Sequence, residues 1–170
     1  MKIIMDETAI NRTIVRMTHE VIERNKGVDR VVLLGIETRG ATLAFRMAKL
    51  IEKLEQVKVP VASLDISYWR DDIDIKEQAL RLPISVQDRI VVLVDDVLFK
   101  GRTVRAAMDG IVFNGRPQQI QLAVLVDRGH RELPIRADIV GKNIPTSMDE
   151  TIKVHLNEND KEDSVVLIKP

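Results

Sequence analysis

Asp95 and Asp96 stand side by side at the end of an aliphatic run, Val91-Val92-Leu93-Val94, and Lys100-Gly101-Arg102-Thr103 follows shortly after. Adjacent carboxylates at the end of a buried strand are costly, because like charges repel and desolvation penalises ions, unless something cationic or rich in hydroxyls binds there. Taken alone, the pair also admits a plain reading in which Asp95 caps the next helix and Asp96 is solvated. The residues that follow favour a site. Lys100-Gly101-Arg102-Thr103 opens a helix, so free N–H groups, the helix dipole, the Thr103 hydroxyl and two cations converge on a point suited to a phosphate. The element reads as a sugar-phosphate cradle in which Asp95 and Asp96 accept hydrogen bonds from vicinal hydroxyls or reach a hydrated Mg²⁺.

Rival phosphate motifs fail on the same letters. Gly35 and Gly40 are followed by Ala41-Thr42, so there is no Walker loop, and neither G-x-G-x-x-G nor G-x-S-x-G occurs. The three histidines, His19, His130 and His155, lack metal-site spacing, and the absence of cysteine removes disulfides, zinc ribbons and thiol catalysis. Lysine plus arginine (26) balance aspartate plus glutamate (26), which excludes a tail gripping nucleic acid by bulk charge. Aromatics at 3% leave few platforms for stacking bases. With 170 residues, 45% of them hydrophobic, a single domain over 1–170 is expected. No stretch has the length of a signal peptide core or a membrane span, which predicts a cytoplasmic protein.

The elements that must position these residues follow from periodicity. Asp6 can cap a helix carrying Ile10, Ile14, Met17 and Val21 on one face, ending near Asn25-Lys26-Gly27. Val31 to Leu34 reads as a strand that passes Gly35 and Gly40 into a helix through Leu43, Met47, Leu50 and Ile51. Val57 to Ile66 is rich in β-branched residues and predicts a strand, whereas Ser67 to Pro83 lacks pattern and predicts an exposed loop or hairpin. Arg89 to Val94 suits a strand buried on both faces, ended by Asp95-Asp96. A helix from Thr103 to Val112, a strand from Ile120 to Val126, a short strand from Asp138 to Gly141 and a hairpin of Thr151 to Leu156 with Ser164 to Lys169 complete the chain. Alternating strands and helices predict an α/β fold with a mostly parallel central sheet flanked by helices, and functional residues just after Leu34, Ile66, Val94 and Val126.

The stretch 91–103 resembles the phosphoribosyl-pyrophosphate (PRPP) signature of type I phosphoribosyltransferases: four apolar residues, two acids, then a loop ending in glycine, a variable residue and threonine. The surrounding segments are similar to the PyrR family of pyrimidine operon attenuation regulators over nearly the whole chain. They comprise His19 to Gly27, Thr38-Arg39-Gly40, Asp65-Ile66 with Arg70-Asp71-Asp72, Val126 to Asp138 and Gly141 to Ser147. The resemblance implies the type I phosphoribosyltransferase fold with a small hood and a flexible loop. It also implies transfer of phosphoribosyl from PRPP to uracil, giving UMP and pyrophosphate, and uridine-nucleotide-dependent binding of pyrimidine-operon mRNA. The alternatives are a purine-base phosphoribosyltransferase, or an enzyme or nucleotide sensor that has lost RNA binding.

On this resemblance the catalytic residues are Asp95, Asp96 and Arg39, with Mg²⁺ held by the two aspartates. PRPP is bound by Thr38, Arg39, Arg70 and the run Asp95, Asp96, Val97, Leu98, Phe99, Lys100, Gly101, Arg102 and Thr103. Backbone groups near Val140 and Gly141 read the base, and homo-oligomers are expected. The stretch Gly35 to Gly40, by itself an ordinary strand-to-helix turn, becomes a pyrophosphate loop. Arg70, by itself solvated surface, becomes a lid residue. Arg16 and His19 lie opposite the apolar stripe of the first helix, and residues 128–142 carry a modest basic excess. Both read as surface on composition, and the family match makes Arg16, His19, His130, Arg131, Arg136 and Lys142 the candidate RNA contacts. The chain departs from the family pattern at Lys100, where threonine is usual, at Glu37, where lysine is common, at Val15, where threonine is common, and in a short Ser67–Pro83 loop. Glu37 is expected near the RNA surface, weakening RNA binding.

Overall fold

The computed structural model describes residues 1–69 and 81–170. In chain order these form β1 (Lys2–Met5), α1 (Glu7–Arg24), β2 (Val31–Ile36), α2 (Arg39–Glu55), β3 (Val61–Leu64), a 3₁₀ turn (Ser67–Trp69), β4 (Ile90–Leu98), α3 (Arg102–Asn114), β5 (Gln119–Asp127), β6 (Ile139–Asn143), β7 (Thr151–His155), α4 (Asn157–Asp160) and β8 (Ser164–Ile168). Among the described residues, β3-β2-β4-β5-β6 pair in that order, all parallel, and β1-β8-β7 form a smaller antiparallel sheet. This is the expected α/β fold, with the smaller sheet as its hood.

Each element follows from local chemistry. Asp6 accepts the Ala9 N–H at 2.8 Å, the N-cap that starts α1 and contributes about 1 kcal/mol. The stripe Ile10, Ile14, Met17 and Val21 is buried, so α1 and α2 cover one face of the parallel sheet. Val104, Ala107 and Ile111 of α3 cover the other. Two-sided cover is why β4 is aliphatic throughout its first half, with Val91, Val92, Leu93 and Val94 fully buried.

Several boundaries differ from expectation. β4 does not stop at Asp95-Asp96 but runs through them to Leu98, because Asp95 and Val97 stay in register with Val124 and Val126 of β5. The strand after Pro60 is shorter than Val57 to Ile66, since only Val61–Leu64 pairs with β2. The helix opens at Arg102 rather than Thr103, and the short strand after Asp138 continues to Asn143. β1 was unexpected and pairs with β8 at the far end of the chain. The patternless Ser67–Pro83 region begins as a 3₁₀ turn whose Trp69 packs against α3, where a Cβ on Gly110 would come within 2.9 Å of the indole. The expected lid residue Arg70 lies outside the described residues.

Candidate functional site

Three parallel strands end side by side, and their last residues make the walls of one cleft. Gly35 of β2 pairs with Val94 of β4, so the turn after β2 emerges beside Asp95. Two glycines allow the close approach. A Cβ on Gly35 would lie 2.3 Å from Ala41 Cα, and one on Gly40 would lie 2.5 Å from the Val94 carbonyl oxygen. The N-terminus of α2 is thereby pressed against the carboxylate pair. The cleft holds about 510 Å³ and is lined by Ile36, Glu37, Thr38, Arg39, Asp65, Ile66, Ser67, Asp95, Asp96, Val97 and Thr103. Functional residues were expected after Leu34, Ile66, Val94 and Val126; the first and third of these strand ends line the cleft together with Asp65–Ser67, and the residues after Val126 do not. A neighbouring hollow of about 170 Å³ is lined by Asp95 and by Val97 through Val104.

The two aspartates differ. Asp95 is only 6% exposed, and burial first, then the adjacent Asp96 charge, pushes its pKa well above the usual carboxylate range. Asp95 Oδ1 accepts the Asp96 N–H at 2.8 Å and Asp96 Oδ1 accepts the Val97 N–H at 2.8 Å. Neither caps the following helix, and among the described residues neither forms an ion pair of 4.0 Å or less. The beginning of α3 is prepared for an anion in the complementary way. Its N-cap is Gly101 at φ +91°, and no side chain caps its first turn, so the N–H groups there remain available to a ligand.

Arg39 lines the cleft, but its Nε and Nη2 donate to Asp160 at 3.1 and 2.6 Å. Asp160 is held below the usual carboxylate range by that hydrogen bond, and Arg39 is raised by it and, further down, by the Asp96 charge. Thr38 precedes α2 through a cis Glu37–Thr38 peptide. Glu37 belongs to the cleft wall, so its charge acts on whatever the cleft binds.

The loop between β4 and α3 is joined to the segment after β5. The Arg128 N–H donates to the Leu98 carbonyl at 3.1 Å and the Glu132 N–H to the Lys100 carbonyl at 2.8 Å. Arg128 is 5% exposed, and its guanidinium carbon sits 3.8 Å from the Phe99 ring centroid, with Lys100 Nζ at 5.4 Å and the His130 ring edge-on at 6.2 Å. Burial lowers the Arg128 pKa, while Thr146 Oγ1 and the Ser147 carbonyl accept its N–H groups at 3.0 Å each. Such a desolvated cation on an aromatic face is worth about 2 kcal/mol. Within the basic 128–142 patch nothing singled out Arg128, although an arginine just after a strand with a long buried run was the available signal.

The remaining candidates divide. His19, His130, Arg131, Arg136 and Lys142 are exposed. Arg16 is exposed as well, and it also donates to the Gly141 carbonyl at 2.5 Å and, more weakly, to the Val140 carbonyl at 3.4 Å, besides pairing with Glu20 at 2.6 Å. A residue expected to face RNA thus holds the strand expected to read the base. Gly141 is there for packing, since a Cβ would lie 2.4 Å from the Leu125 carbonyl oxygen and 2.7 Å from the Thr13 methyl.

The chain matches the family described as "Phosphoribosyl transferase domain" over residues 2–168. It is 56% identical over 172 residues to a "Bifunctional protein PyrR" from Clostridium novyi, covering 98% of this chain and 97% of that one. It is 52% identical over 171 residues to the protein of the same name from Staphylococcus haemolyticus, covering 98% of each. Among solved structures it is similar to the hypoxanthine phosphoribosyltransferase of Trypanosoma cruzi, with a TM-score of 0.75 at 20% identity over 100% of this chain and 97% of that one. That likeness concerns the fold.

Proposed function

Because the chain belongs to the phosphoribosyl transferase domain family and, within it, to the bifunctional PyrR family, we propose that the cleft at the ends of β2, β3 and β4 is where it transfers phosphoribosyl from PRPP to uracil. The chain is a uracil phosphoribosyltransferase and a uridine-nucleotide-dependent regulator of pyrimidine-operon attenuation. The observation that carries the site assignment is the buried Asp95 carboxylate set against a second, half-buried carboxylate, Asp96, with no ion pair to either among the described residues, beside an uncapped helix start.

Donors and acceptors divide the substrate between them. The N–H groups and the Thr103 hydroxyl at the start of α3 bind the 5′-phosphate, with Lys100 adding charge in place of a short hydroxyl contact. Asp95 and Asp96 accept from the ribose hydroxyls and offset positive charge that develops on the sugar as the bond to pyrophosphate breaks. Arg39 keeps N–H groups beyond those taken by Asp160 and turns them to the leaving pyrophosphate. Among the described residues no cluster of three metal-ligating side chains exists. Two adjacent carboxylates suit a Mg²⁺ that keeps waters and arrives with a polyphosphate. When bound, that ion neutralises charge on the leaving group. No covalent intermediate on the protein is required, and positioning with electrostatic stabilisation supplies the rate.

Base recognition falls to backbone groups of Val140 and Gly141, whose strand is fixed by Arg16. RNA binding falls to Arg16, His19, His130, Arg131, Arg136 and Lys142, with His130, Arg131 and Arg136 on the segment that adjoins the loop between β4 and α3, and a cytoplasmic location accords with an mRNA target. One preparation tests both activities. It should form UMP from uracil and PRPP and make no IMP from hypoxanthine. It should also retain its own pyrimidine leader RNA better with UMP than without, with Arg131→Gln and Lys142→Gln each several-fold weaker. IMP as the main product would overturn the uracil assignment. Leader RNA held no better than a scrambled loop, with UMP present, would overturn the RNA surface.

A further inference from the structure

α2 and the turn around α4 are fastened together by three contacts at helical spacing. Arg39 donates bidentately to Asp160, Thr42 Oγ1 donates to Asn159 Oδ1 at 2.7 Å, and Arg46 donates to both Glu158 and Asp163 at 2.6 to 2.9 Å. Only the first contact reaches the cleft. Asp160 is itself fixed, since its Oδ2 also accepts the Leu156 N–H at 2.9 Å. We propose that Asp160 is a positioning residue for the transferase reaction. From the hood it holds one edge of the Arg39 guanidinium, so that the opposite edge is presented, already ordered, to the pyrophosphate group of PRPP. The proposal rests on the assignment of Arg39 to pyrophosphate made above.

A guanidinium carries five N–H donors in a rigid fork. Asp160 engages Nε and one Nη2 hydrogen, leaving the edge made by Nη1 and the second Nη2 hydrogen for another anion. Two effects of the carboxylate compete. Its negative charge repels pyrophosphate, but across several ångströms in an open, hydrated cleft this amounts to about twofold in affinity. Ordering an otherwise free arginine side chain on binding costs about two- to tenfold, and the bidentate clamp has already met that cost in the free protein. Positioning therefore outweighs repulsion.

The test is a double-mutant cycle on the full chain, reading KM for PRPP, KM for uracil and product inhibition by inorganic pyrophosphate. Asp160→Asn should raise the PRPP KM and the pyrophosphate inhibition constant by the same factor, about fivefold, with the uracil KM unchanged, and Asp160→Glu should recover part of the loss. Glu158→Gln, which loosens the same turn without touching Arg39, should leave all three constants within twofold. In an Arg39→Gln background Asp160→Asn should raise nothing further. If Asp160→Asn tightens PRPP or leaves it unchanged while Arg39→Gln weakens it, the positioning role is wrong. A further loss in the Arg39→Gln background would also overturn it. If Arg39→Gln itself leaves PRPP and pyrophosphate unaffected, the assignment of Arg39 fails, and the proposal with it.

Discussion

Two clusters of carboxylates lie along the first half of α2, one beside its N-terminus and one against Arg46 two turns further on, and they are built on opposite principles. In the hood turn, Asp163 and Glu158 close on Arg46, and the hydrogen bonds to that arginine hold both below the usual carboxylate range. In the cleft, Asp95 is about as withdrawn from water as the Asp163 side chain and far more so than Glu158, yet its neighbour is another carboxylate and its pKa goes up. The same residue type at similar burial serves structure where its charge is met inside the protein, and marks a binding site where it is not. Unmet charge at the end of a rigid strand is stability held back for a ligand.

The largest effect that would sharpen this contrast concerns turnover. Asp95→Asn combined with Asp96→Asn should cut kcat/KM by at least about 100-fold, roughly 2.7 kcal/mol, because Asn keeps the shape but loses the charge that faces ribose. Near-normal turnover in the folded double variant would remove the pair from the reaction. Next is the hood. Arg46→Gln leaves Asp163 buried and unpaired and should cost about 2 kcal/mol of stability in denaturant unfolding at neutral pH. Because both partners titrate low in the folded state, that contribution is present above the ordinary carboxylate pKa and fades as pH falls through the depressed folded values. Wild type and variant should therefore converge in acid.

Asp95 predicts the opposite sign. Its folded pKa is raised, so the ionised form is disfavoured by folding, and stability is lost as pH rises from the ordinary carboxylate value toward the folded one. Asp95→Asn should stabilise the ligand-free protein by about 1 kcal/mol at neutral pH and by nothing below about pH 4, a stability gain accompanying the loss of activity. A variant less stable than wild type at neutral pH would erase the contrast between the clusters. Two smaller shifts probe the cleft's charge. Lys100→Thr should change the PRPP KM by several-fold and leave the uracil KM alone. Glu37→Lys should lower the PRPP KM about twofold, more so at low salt, because this carboxylate stands in the cleft wall.

Much of the site was legible because its parts are local. The aliphatic run into Asp95-Asp96 and the Gly101-Arg102-Thr103 helix start are contiguous, and buried parallel strands announce themselves by unbroken apolar stretches. What could not be read depends on long-range pairing. β4 runs on past its two charges because β5 lies beside it, which no local pattern encodes. β1 is a short segment with no alternation of its own, made a strand by β8. The Arg39–Asp160 clamp joins residues 121 positions apart, and Arg16 reaches the Gly141 carbonyl 125 positions away. Helical periodicity placed Arg16 on the polar face correctly but could not show that β6 would be waiting there. Glu37 was expected near the RNA surface, and its place in the wall of the cleft was not legible either.

The central claim is that Asp95 is a buried carboxylate kept uncompensated for the substrate, and its own titration tests this most directly. In protein carrying ¹³C-labelled aspartate, with Asp95→Asn as the assignment control, the Asp95 side-chain carboxyl should titrate well above the ordinary carboxylate range. It should move down when PRPP binds together with Mg²⁺, because hydroxyl donors and the cation favour the ionised form. An ordinary pKa in the free protein that PRPP with Mg²⁺ leaves in place would contradict the account.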